Sequence, residues 1–154
     1  MASPADHDDV PIPALLRAAR GAYGHAIRER LIAGGFDDLP RSGPYILGGI
    51  ANGRGSASQL VRELGVSKQA ASQLIDVLVL RGYLERHPDP DDRRRLAIVV
   101  TERGRAAAAA VRDGVGSVDG ELAARLSAAE LKGLRAGLEA LCAIREAAED
   151  LARA

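Results

Sequence analysis

The stretch of sequence that decides the fold is SASQLVRELGVSKQAASQLIDVLVLRGYLERHPDPDDRRRLAIVVT, residues 56–101. Its first part places apolar residues at Leu60, Val61 and Leu64, which is the spacing of one buried helix face. Gly65 follows, and a helix ends there at little cost because glycine tolerates a left-handed backbone. The sequence therefore predicts a short helix that ends in a tight turn.

A second helical pattern follows this turn. Val66 is placed to fill the corner, and Ser67 is a favourable N-cap. The buried face of the second helix is predicted to hold Ala71, Leu74, Ile75 and Leu78. The outward residues at its start are all hydrogen-bond donors, and none is acidic: Lys68, Gln69, Ser72 and Gln73. Two helices joined by a turn of about three to four residues, the second starting with long polar side chains, predict a helix-turn-helix.

A β-hairpin is predicted directly after the second helix. Arg81-Gly82 ends the helix, and residues 83–86 are predicted as a short strand. Proline and aspartate keep residues 87–95 out of regular structure, and the β-branched run at 96–100 returns as the partner strand. Thr101 caps the next helix. A hairpin in this place is a wing, and three consecutive arginines lie near its predicted tip: Arg93, Arg94 and Arg95.

Several residues of this stretch carry a resemblance to a known family. They are Leu60, Leu64-Gly65-Val66-Ser67, Leu74, Leu78, Gly82-Tyr83-Leu84, Asp89-Pro90, Asp92-Arg93-Arg94 and Thr101-Glu102-Arg103-Gly104-Arg105. In this pattern the sequence resembles the MarR family of bacterial transcriptional regulators. The resemblance covers about a third of the chain. Val100 departs from the family pattern, which usually has leucine at this position. Val61 in the first helix and Ala71 in the second also depart from the usual pattern, because the small and the large side chain of one contact between the helices are exchanged.

The resemblance implies a fold that is mainly α with a small β-hairpin. Residues 40–104 would form a winged helix-turn-helix DNA-binding region, while residues 12–35 and 105–154 would form a helical dimerisation region behind a disordered lead at 1–11. Both terminal regions carry apolar stripes, which suit contacts with a second chain. The alternative is that the two stripes pack only on each other within one chain.

Local signals predict the other helices. Pro13 suits the first turn of a helix that stops at Gly34-Gly35, and Ser42 is placed to cap a short helix after it. A helix over residues 102–125 contains three glycines that predict a bend or a close helix approach: Gly114, Gly116 and Gly120. Ser127-Ala128-Ala129-Glu130 is a capping box that opens the last helix.

The candidate DNA contacts fall in two places. Lys68, Gln69, Ser72 and Gln73, next to the N-cap Ser67, can reach base edges or phosphates, and the sequence leaves open which of them read bases. In the wing, arginine is attracted to a narrow minor groove. The resemblance implies that Arg94 enters the groove and that Asp92 orients it, with Arg93 and Arg95 beside them. Weaker phosphate contacts are predicted at Arg54, Ser56 and Ser58. The alternatives are an ordinary solvated helix face and a charged hairpin that protects an edge strand.

The charge distribution agrees with this placement. The whole chain has a formal net charge of zero. Residues 54–105 hold ten basic and seven acidic side chains, whereas residues 1–53 hold five and six and residues 106–154 hold six and eight. The excess of positive charge therefore lies on the winged segment, and a local basic patch matters more for DNA binding than the total.

The sequence gives little evidence for a targeting segment, a metal site, an enzyme active site or a redox sensor. The polar, acidic N-terminus is unlike a secretory signal, no apolar run approaches the length of a membrane span, and a single cysteine excludes an internal disulfide. A soluble cytoplasmic protein is expected. His7, His25 and His87 lie too far apart for a metal site, no cofactor is implied, and the absence of a phosphate loop or a nucleophile–base set argues against an enzyme. Cys142, beside the C-terminal leucine stripe, is predicted to be buried and inert, with a redox sensor as the alternative.

Together with the resemblance, these observations predict a homodimeric regulator that binds double-stranded DNA at a palindromic operator. The resemblance implies that it acts as a repressor released by a small ligand. The resemblance implies small aromatic or lipophilic anions as effectors, bound in a crevice beside the dimerisation helices. Tyr23, Phe36 and Tyr45 are the candidate lining residues, with core packing as their alternative role. A second function remains open from another class: a winged-helix module that binds proteins and not DNA.

Overall fold

The structure, a computed structural model, describes residues 10–52, 59, 60, 63, 65–88 and 96–153. Within these residues it contains five long helices and one hairpin, in the order α1 (Ile12–Ala33), α2 (Gly43–Ala51), α3 (Lys68–Leu80), β1 (Leu84–Pro88), β2 (Leu96–Val100), α4 (Glu102–Arg125) and α5 (Ala128–Arg153). The mainly helical architecture with a small antiparallel hairpin confirms the predicted fold class. Residues 1–9 of the predicted lead lie outside the described residues.

Both N-terminal helices carry a proline in their first turn, Pro13 in α1 as predicted and Pro44 in α2. Pro11 is the N-cap of α1, and α1 ends at Gly34 as predicted. Ser42 stands at the N-cap of α2, but its side chain makes no capping hydrogen bond. The reason is its backbone, since φ −90° and ψ −4° are helical values, whereas a capping serine needs an extended conformation.

The helix-turn-helix is described in part. Gln59, Leu60 and Glu63 are helical, and Gly65 has φ +66°, the left-handed conformation expected at the turn. Ser67 has an extended backbone, and its Oγ accepts a hydrogen bond of 3.2 Å from the amide of Ala70, which confirms it as the N-cap of α3. The prediction that Val66 fills the corner is wrong, because this side chain is exposed.

The hairpin pairs Leu84 with Val100 at its base and Pro88 with Leu96 at its outer end. The predicted first strand, residues 83–86, therefore starts one residue late in the structure and runs two residues further. Proline lacks an N–H but is tolerated on an edge strand, and both strands of a two-stranded sheet are edges. Pairing with β2 thus keeps Pro88 in the strand.

Residues 1–116 form one compact unit with a single hydrophobic core. Its buried members are Leu31, Ile46, Leu47, Ile75, Leu78, Tyr83, Leu84, Ala107, Ala108 and Val111. Strand β2 contributes only partly buried residues to this core, Ile98 and Val100. A Cβ at Gly114 of α4 would lie 2.7 Å from Cα of Ile27, so the predicted close helix approach is confirmed there. Gly116 and Gly120 have open space instead.

Residues 117–154 form the second compact unit. The predicted capping box at the start of α5 is present, because Oε2 of Glu130 accepts from the amide of Ser127 at 2.8 Å and Oγ of Ser127 accepts from the amide of Glu130 at 3.3 Å. None of the described side chains of α5 is buried. Leu134, Leu138 and Leu141 are 42%, 39% and 41% exposed, so the leucine stripe is open in the single chain.

Candidate nucleic-acid interface

Helix α3 presents the predicted polar face to solvent. Ile75 and Leu78 are buried, and this fixes which side of the helix faces the core. The five predicted residues at its start are all exposed: Ser67, Lys68, Gln69, Ser72 and Gln73. The first turn contains no acidic residue, and the N-terminus of a helix carries partial positive charge. The face therefore offers hydrogen-bond donors and a positive field to an anionic partner.

The predicted contacts in the wing and before the helix-turn-helix have no described position. Asp92, Arg93, Arg94 and Arg95 belong to residues 89–95, and Arg54, Ser56 and Ser58 belong to residues 53–58; both segments lie outside the described residues. The strands that precede and follow residues 89–95 in the sequence are paired throughout. The roles of these residues stay predictions.

An ion pair that the sequence analysis missed joins the wing to α3. Nη2 of Arg86, in β1, donates a hydrogen bond to Oδ1 of Asp76, in α3. Asp76 is the only acidic residue in α3, and this is the signal that could have drawn attention to it. The pair neutralises that charge and connects the middle of the wing's first strand to the helix beside it.

A second missed group centres on Asp38, in the linker between α1 and α2. Its Oδ1 accepts hydrogen bonds from the hydroxyl of Tyr83 and from Nη2 of Arg103, the latter at 2.8 Å, while its main-chain carbonyl accepts one from Arg81. The hydrogen bond from Tyr83, together with the positive charges of Arg103 and Arg81, holds the pKa of the Asp38 carboxyl below its usual value. Asp38 is therefore a carboxylate at neutral pH.

Tyr83 fills the centre of this group. Its side chain is fully buried, and the guanidinium carbon of Arg103 lies 4.7 Å from the centre of its ring. Burial, followed by the hydrogen bond to Asp38, raises the pKa of the Tyr83 hydroxyl, so that the hydroxyl remains a donor. Tyr83 belongs to the residues that carry the family resemblance, but nothing local to it indicates its distant partners.

Comparisons with known proteins match part of this chain to one family. A family model described as "MarR family" matches residues 37–95, a range that includes α2, α3 and β1. The chain also resembles the crystal structure of apo wild-type MarR from E. coli, with 25% sequence identity, a TM-score of 0.59, and coverage of 86% of this chain and 96% of that one. Residues 37–95 therefore match the MarR family, and the fold resembles that of MarR.

Two further structures resemble the chain. CouR from Rhodococcus jostii RHA1, bound to p-coumaroyl-CoA, is 25% identical with a TM-score of 0.64, covering 90% of this chain and 95% of its own. The S. aureus MepR–DNA complex has a TM-score of 0.69 at 18% identity, over 88% and 98% of the two chains, and shows likeness of fold alone. A comparison with curated protein sequences finds no significant match.

The three aromatic residues predicted to line a ligand crevice have different surroundings in the structure. The ring of Phe36 packs edge-on against Tyr83, with 6.3 Å between ring centres. The hydroxyl of Tyr45 donates to Oε2 of Glu63 at 2.7 Å, which links α2 to the helix-turn-helix. Tyr23, on α1, is half-buried. Phe36 and Tyr45 pack against the core, and the ligand role of all three stays a prediction.

The prediction for Cys142 is wrong about burial. This thiol is exposed, because α5 buries none of its described side chains within one chain. The described residues include no group of three or more His, Cys, Asp or Glu side chains arranged to hold a metal ion. Among the helices described above, none has both the length and the apolar character needed to cross a membrane.

Proposed function

We propose that this chain is a MarR-family transcriptional regulator that binds double-stranded DNA through α3 and the wing. The observation that carries the proposal is the polar face of α3, which is capped, exposed and free of acidic residues in its first turn. A hairpin follows it whose two strands flank three consecutive arginines in the sequence. Such a helix fits the major groove while a wing reaches the neighbouring minor groove. The likeness in fold to the MepR–DNA complex supports the same use of these elements.

The regulator acts as a homodimer on a palindromic operator. The leucine stripe of α5 supports this, because apolar side chains exposed along a helix are stabilised when a second chain covers them. A two-fold dimer places two recognition helices about 34 Å apart, which matches successive major grooves of B-DNA. The protein carries out no chemistry of its own and acts in the cytoplasm, where its DNA target is.

A small ligand releases the repressor from DNA. CouR, similar along most of its length to this chain, was crystallised with p-coumaroyl-CoA, an aromatic acyl thioester, and this supports an aromatic or lipophilic anion as the effector class. Tyr23, Phe36 and Tyr45 are the candidate lining residues. The anion would bind near these aromatic rings and lower the affinity for the operator.

Salt-dependent DNA binding tests the proposal. The wild-type chain should enrich a palindromic duplex from a random-sequence pool and bind it more tightly than a scrambled duplex. Affinity should fall steeply as salt rises, because lysine and arginine release counterions from the phosphates. A folded dimer that binds neither duplex would refute DNA binding and favour the winged-helix module that binds proteins.

A further inference from the structure

Asp38 contacts three places that bracket the wing. Arg81, which donates to the Asp38 carbonyl, is the C-cap of α3. Tyr83, which donates to the carboxylate, immediately precedes β1, and Arg103, which donates to the same oxygen, lies in the first turn of α4 just after β2. One residue of the α1–α2 linker thus holds the end of the recognition helix and both ends of the hairpin.

The entry and exit of the hairpin are also joined directly. Oγ1 of Thr101 donates to the carbonyl of Gly82 at 2.6 Å and accepts from the amide of Gly104 at 3.0 Å. Thr101 therefore connects the two ends of the hairpin at the base of the wing, and the contacts of Asp38 connect this base to the α1–α2 linker. These contacts are charge-assisted, since an ionised carboxylate faces a guanidinium and a phenol hydroxyl.

The position of these Asp38 contacts matters because the wing has only two strands. A two-stranded hairpin has little stability alone, so its direction is set by whatever holds its base. Five-residue strands carry the outer pair of the hairpin, Pro88 and Leu96, roughly 14 Å from the base, and a tilt of about 10° at the base moves that pair by roughly 2 Å. A shift of that size is enough to take an arginine out of a groove.

We propose that Asp38 is a positioning residue for DNA binding, which sets the direction of the wing relative to α3 through Tyr83 and Arg103. This inference rests on the proposed function. Asp38 itself touches no DNA in this account. Removing its charge should loosen the wing and lower affinity for the operator, although every predicted DNA contact remains in the sequence.

The chain offers a matched control in the neighbouring residue. Asp37 is exposed in the same linker and makes no side-chain hydrogen bond or ion pair with the described residues. Asp38→Asn and Asp37→Asn change the net charge equally. On the palindromic duplex enriched by the wild-type chain, Asp38→Asn should bind about tenfold more weakly, while Asp37→Asn should stay within about twofold of wild type. Tyr83→Phe, which keeps the ring and loses the hydroxyl, should shift affinity in the same direction as Asp38→Asn.

Amide hydrogen exchange tests, without DNA, whether the contacts of Asp38 hold the hairpin. Below the melting temperature of every variant, Asp38→Asn should speed exchange in residues 84–88 and 96–100 and leave α5 unchanged, whereas Asp37→Asn should match wild type throughout. If Asp38→Asn lowers only the melting temperature, and keeps wild-type operator affinity and hairpin protection, the proposal is overturned. If the wild-type chain binds no duplex, the proposed function is refuted. If hairpin exchange in Asp38→Asn is then also unchanged, the positioning role of Asp38 is refuted as well.

Discussion

Arg86 of the wing donates a hydrogen bond to Asp76 of the recognition helix, so the two elements proposed to contact DNA are also bonded to each other. Both side chains are partly exposed, and an exposed ion pair adds at most about 1 kcal/mol to the free energy of unfolding. Its larger effect is geometric, because it fixes how far the middle of β1 lies from α3.

The first prediction is that Asp76 and Arg86 act as a unit in DNA binding. Asp76→Ala and Arg86→Ala should each weaken operator binding by roughly three- to tenfold, and the double variant should be no weaker than the worse single one. The exposed pair Glu121–Arg125, with 3.0 Å between its charged atoms, is the control and should show no such coupling. Tighter binding by Asp76→Ala would mean that Asp76 merely repels DNA.

A second prediction concerns the close contact between α4 and the base of the wing. A Cβ at Gly104 would lie 2.1 Å from the carbonyl oxygen of Tyr83 and 2.7 Å from Cγ1 of Val100. Gly104→Ala should therefore lower the free energy of unfolding by about 1–3 kcal/mol, measured by urea denaturation. Gly116→Ala on the same helix meets open space and should raise it by up to about 1 kcal/mol. If the two variants changed the free energy of unfolding equally, helix propensity alone would account for both effects.

The sequence was sufficient for the elements whose signals are local. Local signals determine the N-caps Ser67 and Ser127 and the helix from Glu102 to Arg125. The residues that give these signals lie within about one helical turn of each other in the sequence. The extension of β1 to Pro88 was missed, because strand length depends on pairing with residues across the hairpin.

The Asp38 group was missed for a related reason. Its members are separated by 45 and 65 residues along the chain, and no periodicity or spacing joins them. The exposure of Cys142 was also unpredictable from the stripe, since an apolar stripe indicates a buried face without saying which chain buries it.

The third prediction tests the proposed dimer. Leu138→Lys should raise the dimer dissociation constant and lower operator affinity together, because a buried unpaired charge is costly in an apolar interface. Ala140→Lys, placed on about the opposite side of α5, is the matched control and should leave both unchanged. Analytical ultracentrifugation at micromolar concentration measures the first effect. A wild-type monomer under these conditions would rule out the dimer.

The fourth prediction is that Cys142 is not an oxidant sensor. It is the only cysteine, so no partner within the chain can form a disulfide with it, and it adjoins Leu141 of the stripe that the dimer would cover. Cys142→Ser should keep the same DNA affinity with and without peroxide. Maleimide labelling of Cys142 should be slow in the wild-type dimer and faster in Leu138→Lys. Peroxide-induced release from DNA that disappears in Cys142→Ser would establish the sensor.

The last prediction separates the work of the wing from that of the recognition helix. Arg94→Ala should weaken binding to all DNA, with some extra loss at A·T-rich flanks, because a guanidinium in the minor groove responds to groove width and potential. Replacing Gln69 or Gln73, whichever reads a base, should cost roughly 1–3 kcal/mol on the operator and little on scrambled DNA, because a bidentate amide rewards one base.

Binding isotherms at several salt concentrations, on the enriched palindrome and on a scrambled duplex, test the central claim most directly. Wild type should prefer the palindrome, and its logarithmic salt slope should flatten by nearly one unit in Arg94→Ala, since one phosphate-facing cation is lost. Equal wild-type affinity for the two duplexes, or an Arg94→Ala variant with unchanged slope and affinity, would contradict the account of α3 and the wing as a sequence-reading DNA interface.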